Sequence, residues 1–161
     1  VRNYLALVGP ECKELDGIVG YYGEQLVLLA QSLGLNSCWV GGTYKVVNRA
    51  YNVDLGQKLA AVVALGYGAS QGVPHRSKAP QEVAPGYDGA PEWFKRGVDA
   101  ALLAPTALNQ QKFSFSLDGE ENDVPVVRAS TKRGAFTQMD LGIAQCHFEI
   151  GAGNVLYRWS E

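Results

Sequence analysis

The chain has 161 residues, 47% of them hydrophobic, which suits one globular domain over 1–161 that buries roughly 70% of its unfolded surface without covalent staples. A net charge of −2 offers no basic field to nucleic acid or to an anionic membrane. No apolar run reaches the length of a membrane span, and no signal peptide is visible.

The cysteines Cys12, Cys38 and Cys146 are odd in number, far apart and set in apolar surroundings. They read as buried, reduced thiols of a cytoplasmic protein. With only His75 and His147 to help, they lack the spacing of a zinc site. The chain opens at Val1 with no initiator Met, as expected of a fragment or a processed chain.

In chain order, Asn3-Tyr4-Leu5-Ala6-Leu7-Val8 reads as a buried strand stopped by Gly9-Pro10. A polar stretch follows over 11–16. A helix is expected over 21–33, with Tyr22, Leu26, Leu29, Ala30 and Leu33 forming its inward stripe and Gly34 ending it. A short strand over 35–40 runs into Gly41-Gly42. Residues 43–57 read as a loop, 58–65 as a strand, and 69–91, rich in Gly and Pro, as a long surface connection. A helix over 92–103 turns Phe94, Val98, Ala101 and Leu102 inward. Strands follow over 112–117 and 124–129, joined by a turn at Asp118-Gly119, with Pro125 marking an edge or a strand start. Thr137 and Asp140 have near-capping-box spacing ahead of a helix over 141–150, and a last strand spans 154–159. Strands interleaved with helices in this way define an α+β protein.

Four stretches carry polar chemistry. The first is the turn Ala104-Pro105-Thr106-Ala107-Leu108-Asn109-Gln110-Gln111. Pro105 cannot extend the helix before it, and the three carboxamides and one hydroxyl that follow suit the edge of a heteroaromatic ring or a turn that satisfies its own backbone. The second is the helix, glycine and strand from Gly23 through Val40 to Gly41-Gly42, which on its own is core architecture. The third is His75-Arg76-Ser77-Lys78, which could hold a phosphate or lie in water. The fourth is the helix carrying Asp140, His147 and Glu149. His147 and Glu149 are two residues apart and point to different faces, so they form no catalytic dyad, and Asp140 reads as an N-cap or first-turn acid. No Rossmann fingerprint, nucleophile elbow or metal-ligand helix is present.

Ala-Pro-Thr-Ala-Leu-Asn-Gln-Gln resembles the Ala-Pro-Ser-x-x-Asn-x-Gln-Pro-Trp signature of the FMN-dependent nitroreductase family, with Thr106 in place of Ser and Lys112-Phe113 in place of Pro-Trp. The 23–39 stretch is similar to that family's central helix and strand, and Leu65-Gly66-Tyr67 followed by Arg76 and Lys78 repeats the order of its phosphate element. The resemblance runs from Tyr4 to Arg158 and implies a nitroreductase-like α+β fold with a mostly antiparallel central sheet flanked by helices. It implies FMN as cofactor and NAD(P)H as electron donor, with nitroaromatics, quinones or a related small molecule as acceptor. Pro105, Thr106 and Asn109 would lie near the isoalloxazine ring, Val40, Gly41 and Gly42 at flavin N5, and Arg76 and Lys78 at the phosphate. A backbone N–H aimed at N5 stabilises the reduced, negatively charged flavin as an oxyanion hole would. No general acid or base is implied.

The central helix precedes the Asn-x-Gln motif here, the reverse of the ordinary order, and the helix after Asp140 looks like a worn second copy of it. This resembles a nitroreductase branch whose fold is duplicated inside one chain, giving a monomer with an internal pseudo-dimer or a homodimer. The family's amino-terminal Arg-Arg-Ser-x-Arg element is not found. A scaffold without cofactor acting as a binding module, and a specialised flavin enzyme such as a dehalogenase or a flavin-fragmenting enzyme, remain alternatives.

Overall fold

The computed structural model describes residues 3–45 and 50–160. Residues 46–49 of the expected 43–57 loop, and Val1, lie outside the described residues. The strands are β1 (Asn3–Pro10), β2 (Asn36–Val40), β3 (Gln57–Gly66), β4 (Phe113–Glu121), β5 (Val124–Thr131) and β6 (Arg158–Trp159). The helices are α1 (Leu15–Ser32), α2 (Pro80–Val83), α3 (Glu92–Ala101) and α4 (Thr137–Ala152). Short 3-10 turns stand at Tyr87–Gly89 and Ala107–Asn109.

The architecture is α+β, as the residue pattern predicts, and mostly antiparallel, as the family resemblance implies. The strands form two three-stranded ladders, ordered β1-β3-β2 and β4-β5-β6, and only the β5–β6 pairing is parallel. Helix α1 lies on the first ladder and α4 on the second. The two helices cross in direct contact, and α3 packs on α4. The core gathers there: Phe115 stacks on Phe148 with ring centroids 4.8 Å apart, and Phe94, Tyr157 and Trp159 meet Phe148 from other sides. Offset and edge-on contacts of this kind each contribute about 0.5–1.5 kcal/mol beyond area burial. No helix among the described residues is long and apolar enough to cross a membrane.

The α1–α4 crossing is built from glycine. A Cβ on Gly20 would collide with the Met139 carbonyl and lie 3.1 Å from the Ile143 nitrogen. A Cβ on Gly142 would collide with the Gly17 carbonyl and lie 2.9 Å from the Tyr21 nitrogen. The two helices therefore exchange equivalent contacts about a local twofold.

Several expectations need correction. Helix α1 begins at Leu15, six residues before the expected start. Its inward face carries Val19, Gly20, Gly23, Glu24, Val27 and Ala30, whereas Tyr22, Leu26, Leu29 and Leu33 are exposed. Close approach to α4 selects the glycine side, not the side with the longest apolar residues. The helix ends as expected: Gly34 has φ 79°, the Leu35 N–H bonds the Ala30 carbonyl at 2.9 Å, and the Gly34 N–H bonds that of Gln31 at 3.0 Å. The hairpin turn falls at Asn122-Asp123, both left-handed (φ 53° and 61°), and Gly119 instead sits in a bulge where the β4–β5 register shifts. The Thr137 capping box does not form. Phe136 is the N-cap, Thr137 lies inside the helix and its hydroxyl donates to the Gly134 carbonyl. Only Arg158–Trp159 of the expected last strand pairs. Cys146 is buried, but Cys12 and Cys38 are exposed, because Cys12 lies in a polar turn and Cys38 on edge strand β2.

Candidate functional site

A cavity of about 610 Å³ opens between the end of β2, the turn after α3 and the start of α4. That volume is typical of small-molecule sites. Strand β2 contributes Trp39 and Val40, with Gly41 following. The turn contributes Pro105, Thr106, Ala107, Leu108 and Gln110, and the start of α4 contributes Phe136, Met139, Asp140 and Ile143. Val27 of α1 and Ala61 of β3 close the apolar floor.

Two stretches separated by more than sixty residues thus meet in one chamber. Of the sequence-predicted residues, Val40, Gly41, Pro105 and Thr106 line it. Gly42 follows directly, in a left-handed conformation (φ 110°). Asn109, Arg76 and Lys78 stand outside the lining, and the side chains of Asn109 and Lys78 are spent on backbone carbonyls between the turn and the 76–78 segment. Asn109 donates to the Arg76 carbonyl at 2.8 Å, and the Lys78 ammonium donates to the carbonyls of Gln110 and Gln111 at 3.3 and 2.6 Å. The Arg76 side chain is exposed.

The turn is held in a costly shape. Leu108, Asn109 and Gln111 all have left-handed backbones (φ 53°, 52° and 42°), and the Leu108 side chain is fully exposed. Such conformations cost of order 1 kcal/mol or more each and persist only where the surroundings enforce them. Here Gln111, 2% exposed, enforces them. Its amide donates to the Arg76 carbonyl and to Asn109 Oδ1 and accepts the Lys78 N–H, at 2.7–2.9 Å. The Gln111 N–H in turn bonds the Thr106 hydroxyl at 3.1 Å.

Phe136 escaped the sequence reading, and Gln110 and Asp140 were noted there without being placed at the site. Phe136, also left-handed at φ 62°, puts its ring against Gly41, where an added Cβ would lie 3.0 Å away. Gln110 donates to Asp140 Oδ2 at 2.7 Å and to the Ala135 carbonyl at 3.0 Å. Asp140, 4% exposed, accepts the Ala107 N–H on Oδ1 at 2.9 Å. Asp140 is therefore a tie between α4 and the turn rather than a cap. The signal that could have found it was an acid in the first turn with no backbone use of its own.

Burial pushes the Asp140 carboxyl above its ordinary value, and the Ala107 N–H, the Gln110 amide and the Lys112 ammonium pull it only partly back. The folded chain holds this proton more tightly than the unfolded chain does. Stability from this group is therefore greatest below the unfolded pKa and is lost as pH rises through the raised folded one. Asp140→Asn should remove that slope. Urea midpoints of both proteins measured from about pH 4 to pH 7, across the range of a raised carboxyl, should show wild type losing ground to the variant as pH rises. Parallel curves would contradict the assignment.

His147 and Glu149 go separate ways, as their spacing predicts. His147 bonds Glu24, while Glu149 accepts the Tyr21 hydroxyl and the Trp159 indole N–H. The hydrogen bond to Glu149, with burial, pushes the Tyr21 phenol up to about 12. Burial, with Glu24 and Glu149 nearby, pushes the Cys146 thiol up to about 11, which keeps it an unreactive thiol at neutral pH. No group of three or more metal-ligating side chains occurs among the described residues.

Fold and pocket together define a nitroreductase-like protein. A family model described as "Putative TM nitroreductase" matches residues 1–152, and the chain belongs to that family. The fold is similar to the crystal structure of a putative nitroreductase from Thermotoga maritima, with a TM-score of 0.67 at 21% identity. That match covers 90% of this chain and 58% of the Thermotoga chain, so this chain spans a little over half of that protein's length. No curated protein matches.

Proposed function

We propose that this chain carries the ring-binding part of an FMN-dependent oxidoreductase that takes electrons from NAD(P)H and reduces a small planar acceptor, such as a nitroaromatic or a quinone. The observation that supports it is the chamber itself, which joins the backbone after β2 to the Pro105–Thr106 turn. These are the two stretches that the family resemblance assigns to the flavin ring.

The lining fits a flat, mostly apolar ring with a polar rim. Val40 and Gly41 offer backbone, Thr106 a hydroxyl, Gln110 a carboxamide and Phe136 an aromatic face. No cation lines the chamber among the described residues. The phosphate would instead be met beside the turn, where the Arg76 guanidinium is exposed. The flavin would supply the hydride chemistry. The chain's own part is to orient the ring, exclude water from its inner face and bind the acceptor above it.

The exposed α1 face of Tyr22, Leu26, Leu29 and Leu33 is where a second copy of this chain, or a second half of a longer one, would pack. Sedimentation of this chain distinguishes the two.

The test is an absorbance spectrum after incubation with FMN and desalting, followed by NAD(P)H oxidation with a nitroaromatic acceptor. Retained flavin peaks and acceptor-dependent turnover are expected. Arg76→Ala should weaken FMN binding at least tenfold by removing a charge-assisted contact worth about 1.5–3 kcal/mol. An unchanged affinity would remove Arg76 from the site. A wild-type chain that retains no flavin would leave a scaffold that binds something else.

A further inference from the structure

Glu24 is the most buried charged side chain among the described residues, at 1% exposure, and the proposed flavin chemistry makes no use of it. It sits on the inward face of α1 between two partners. Its Oε2 accepts the indole N–H of Trp39 at 2.9 Å, and its Oε1 lies 2.9 Å from Nε2 of His147. A carboxylate oxygen accepts, so His147 carries a proton on Nε2 and donates it.

These partners stand on the other two elements that shape the chamber. Trp39 lines it and immediately precedes Val40 and Gly41. His147 lies one helical turn beyond Ile143, which lines it from α4. The indole is also held sterically, because a Cβ on Gly23 would lie 2.5 Å from Trp39 Cη2. Among the described residues β2 is an edge strand paired with β3 alone, so the ladder holds one side of it and Trp39 must be anchored from elsewhere.

We infer that Glu24 is a positioning residue for the ligand chamber: through Trp39 it fixes the end of β2, and through His147 it ties that wall to α4. The occupant of the chamber rests on the reading proposed above, but the clamp can be tested without it. The ordinary reading of a buried Glu–His pair is core stability alone. The two differ in what happens at Val40, Gly41 and Gly42.

The test uses ¹⁵N-labelled wild type, Glu24→Leu, Glu24→Gln and Trp39→Phe. Trp39→Phe keeps an aromatic ring but removes the indole N–H together with the outer indole carbons packed at Gly23, so it tests the whole Trp39 anchor even if Glu24→Leu fails to fold. The readouts are the Trp39 indole signal, hydrogen exchange at the amides of residues 40–42, and FMN affinity.

Glu24→Leu and Trp39→Phe should speed exchange at those amides at least tenfold more than at the α1–α4 crossing and weaken FMN binding by a similar factor. Glu24→Gln, which keeps an acceptor for Trp39, should restore most of both. Uniform acceleration across the chain, or a Trp39→Phe protein with wild-type amides at 40–42, would overturn the inference and leave Glu24 a stability residue. If wild type binds no FMN, the proposed function falls, while the exchange readout still decides the clamp.

Discussion

Alanine in place of Gly142 should cost the fold about 3 kcal/mol or more, the top of the range for overpacked sites. The added carbon would strike the Gly17 carbonyl and lie 2.9 Å from both the Gly17 carbonyl carbon and the Tyr21 nitrogen. These atoms are backbone, so no rotamer change relieves the contact and α1 must back away from α4. Retreat would loosen the packing of Val19 and Ile143, both buried beside the crossing. Gly17→Ala is the control. Its new carbon would lie 3.8 Å from the Gln138 carbonyl, an ordinary contact, and a helical Gly-to-Ala exchange gains about 1 kcal/mol. Urea denaturation followed by circular dichroism should therefore move the two midpoints in opposite directions. A Gly142→Ala midpoint within error of wild type would show that the helices are not in backbone contact.

Replacing Gln111 with alanine should remove about 2–4 kcal/mol. Unsatisfied buried groups cost about 1–3 kcal/mol each, reduced here where water reaches them. The Lys78 N–H and Asn109 Oδ1 lose their bonds, and the Arg76 carbonyl loses one of two, keeping the Asn109 amide. The damage should be local. The 69–79 connection is held to the turn largely through these bonds and those of Lys78, so limited proteolysis should cut it in the variant well before wild type is cut. The strained turn, freed of its enforcer, should relax, and any ligand of the chamber should bind more weakly. A variant as protease-resistant as wild type would show that Gln111 is not the anchor.

The parts of this molecule legible in the sequence are those governed by local rules. The inward residues of α3, Phe94, Val98, Ala101 and Leu102, are buried as helical spacing predicts. Gly34 closes α1 by its left-handed backbone, and Pro105 forces the turn. The two stretches that the family resemblance singles out were visible as shared wording, and the chamber brings four of their residues together.

What stayed hidden depends on pairs far apart in the chain. The burial of α1 is inverted from its apolar stripe, because Gly20 and Gly23 face a helix and an indole that no local window contains. Nothing local to Glu24 marks it as buried, because its partners Trp39 and His147 come from other elements. Asp140 reads as a cap until Ala107, thirty-three residues earlier, offers its N–H. The turn's carboxamides suit a ring edge or a self-satisfying turn equally well in the sequence, and Asn109 and Gln111 turn toward the 76–78 segment.

The reciprocal crossing of α1 and α4 has a consequence for symmetry. The exchange that relates Gly20 to Gly142 also carries Val27 onto Glu149 and Ile143 onto Tyr21. Val27 and Ile143 face the open chamber, whereas Tyr21 and Glu149 are hydrogen-bonded to each other, with the Trp159 indole on the same carboxylate. The matching place is occupied by the protein's own tyrosine and tryptophan. Among the described residues the crossing thus leaves one side open and fills the other, so its two halves match in backbone and differ in side chains, and the chamber has no equivalent mate.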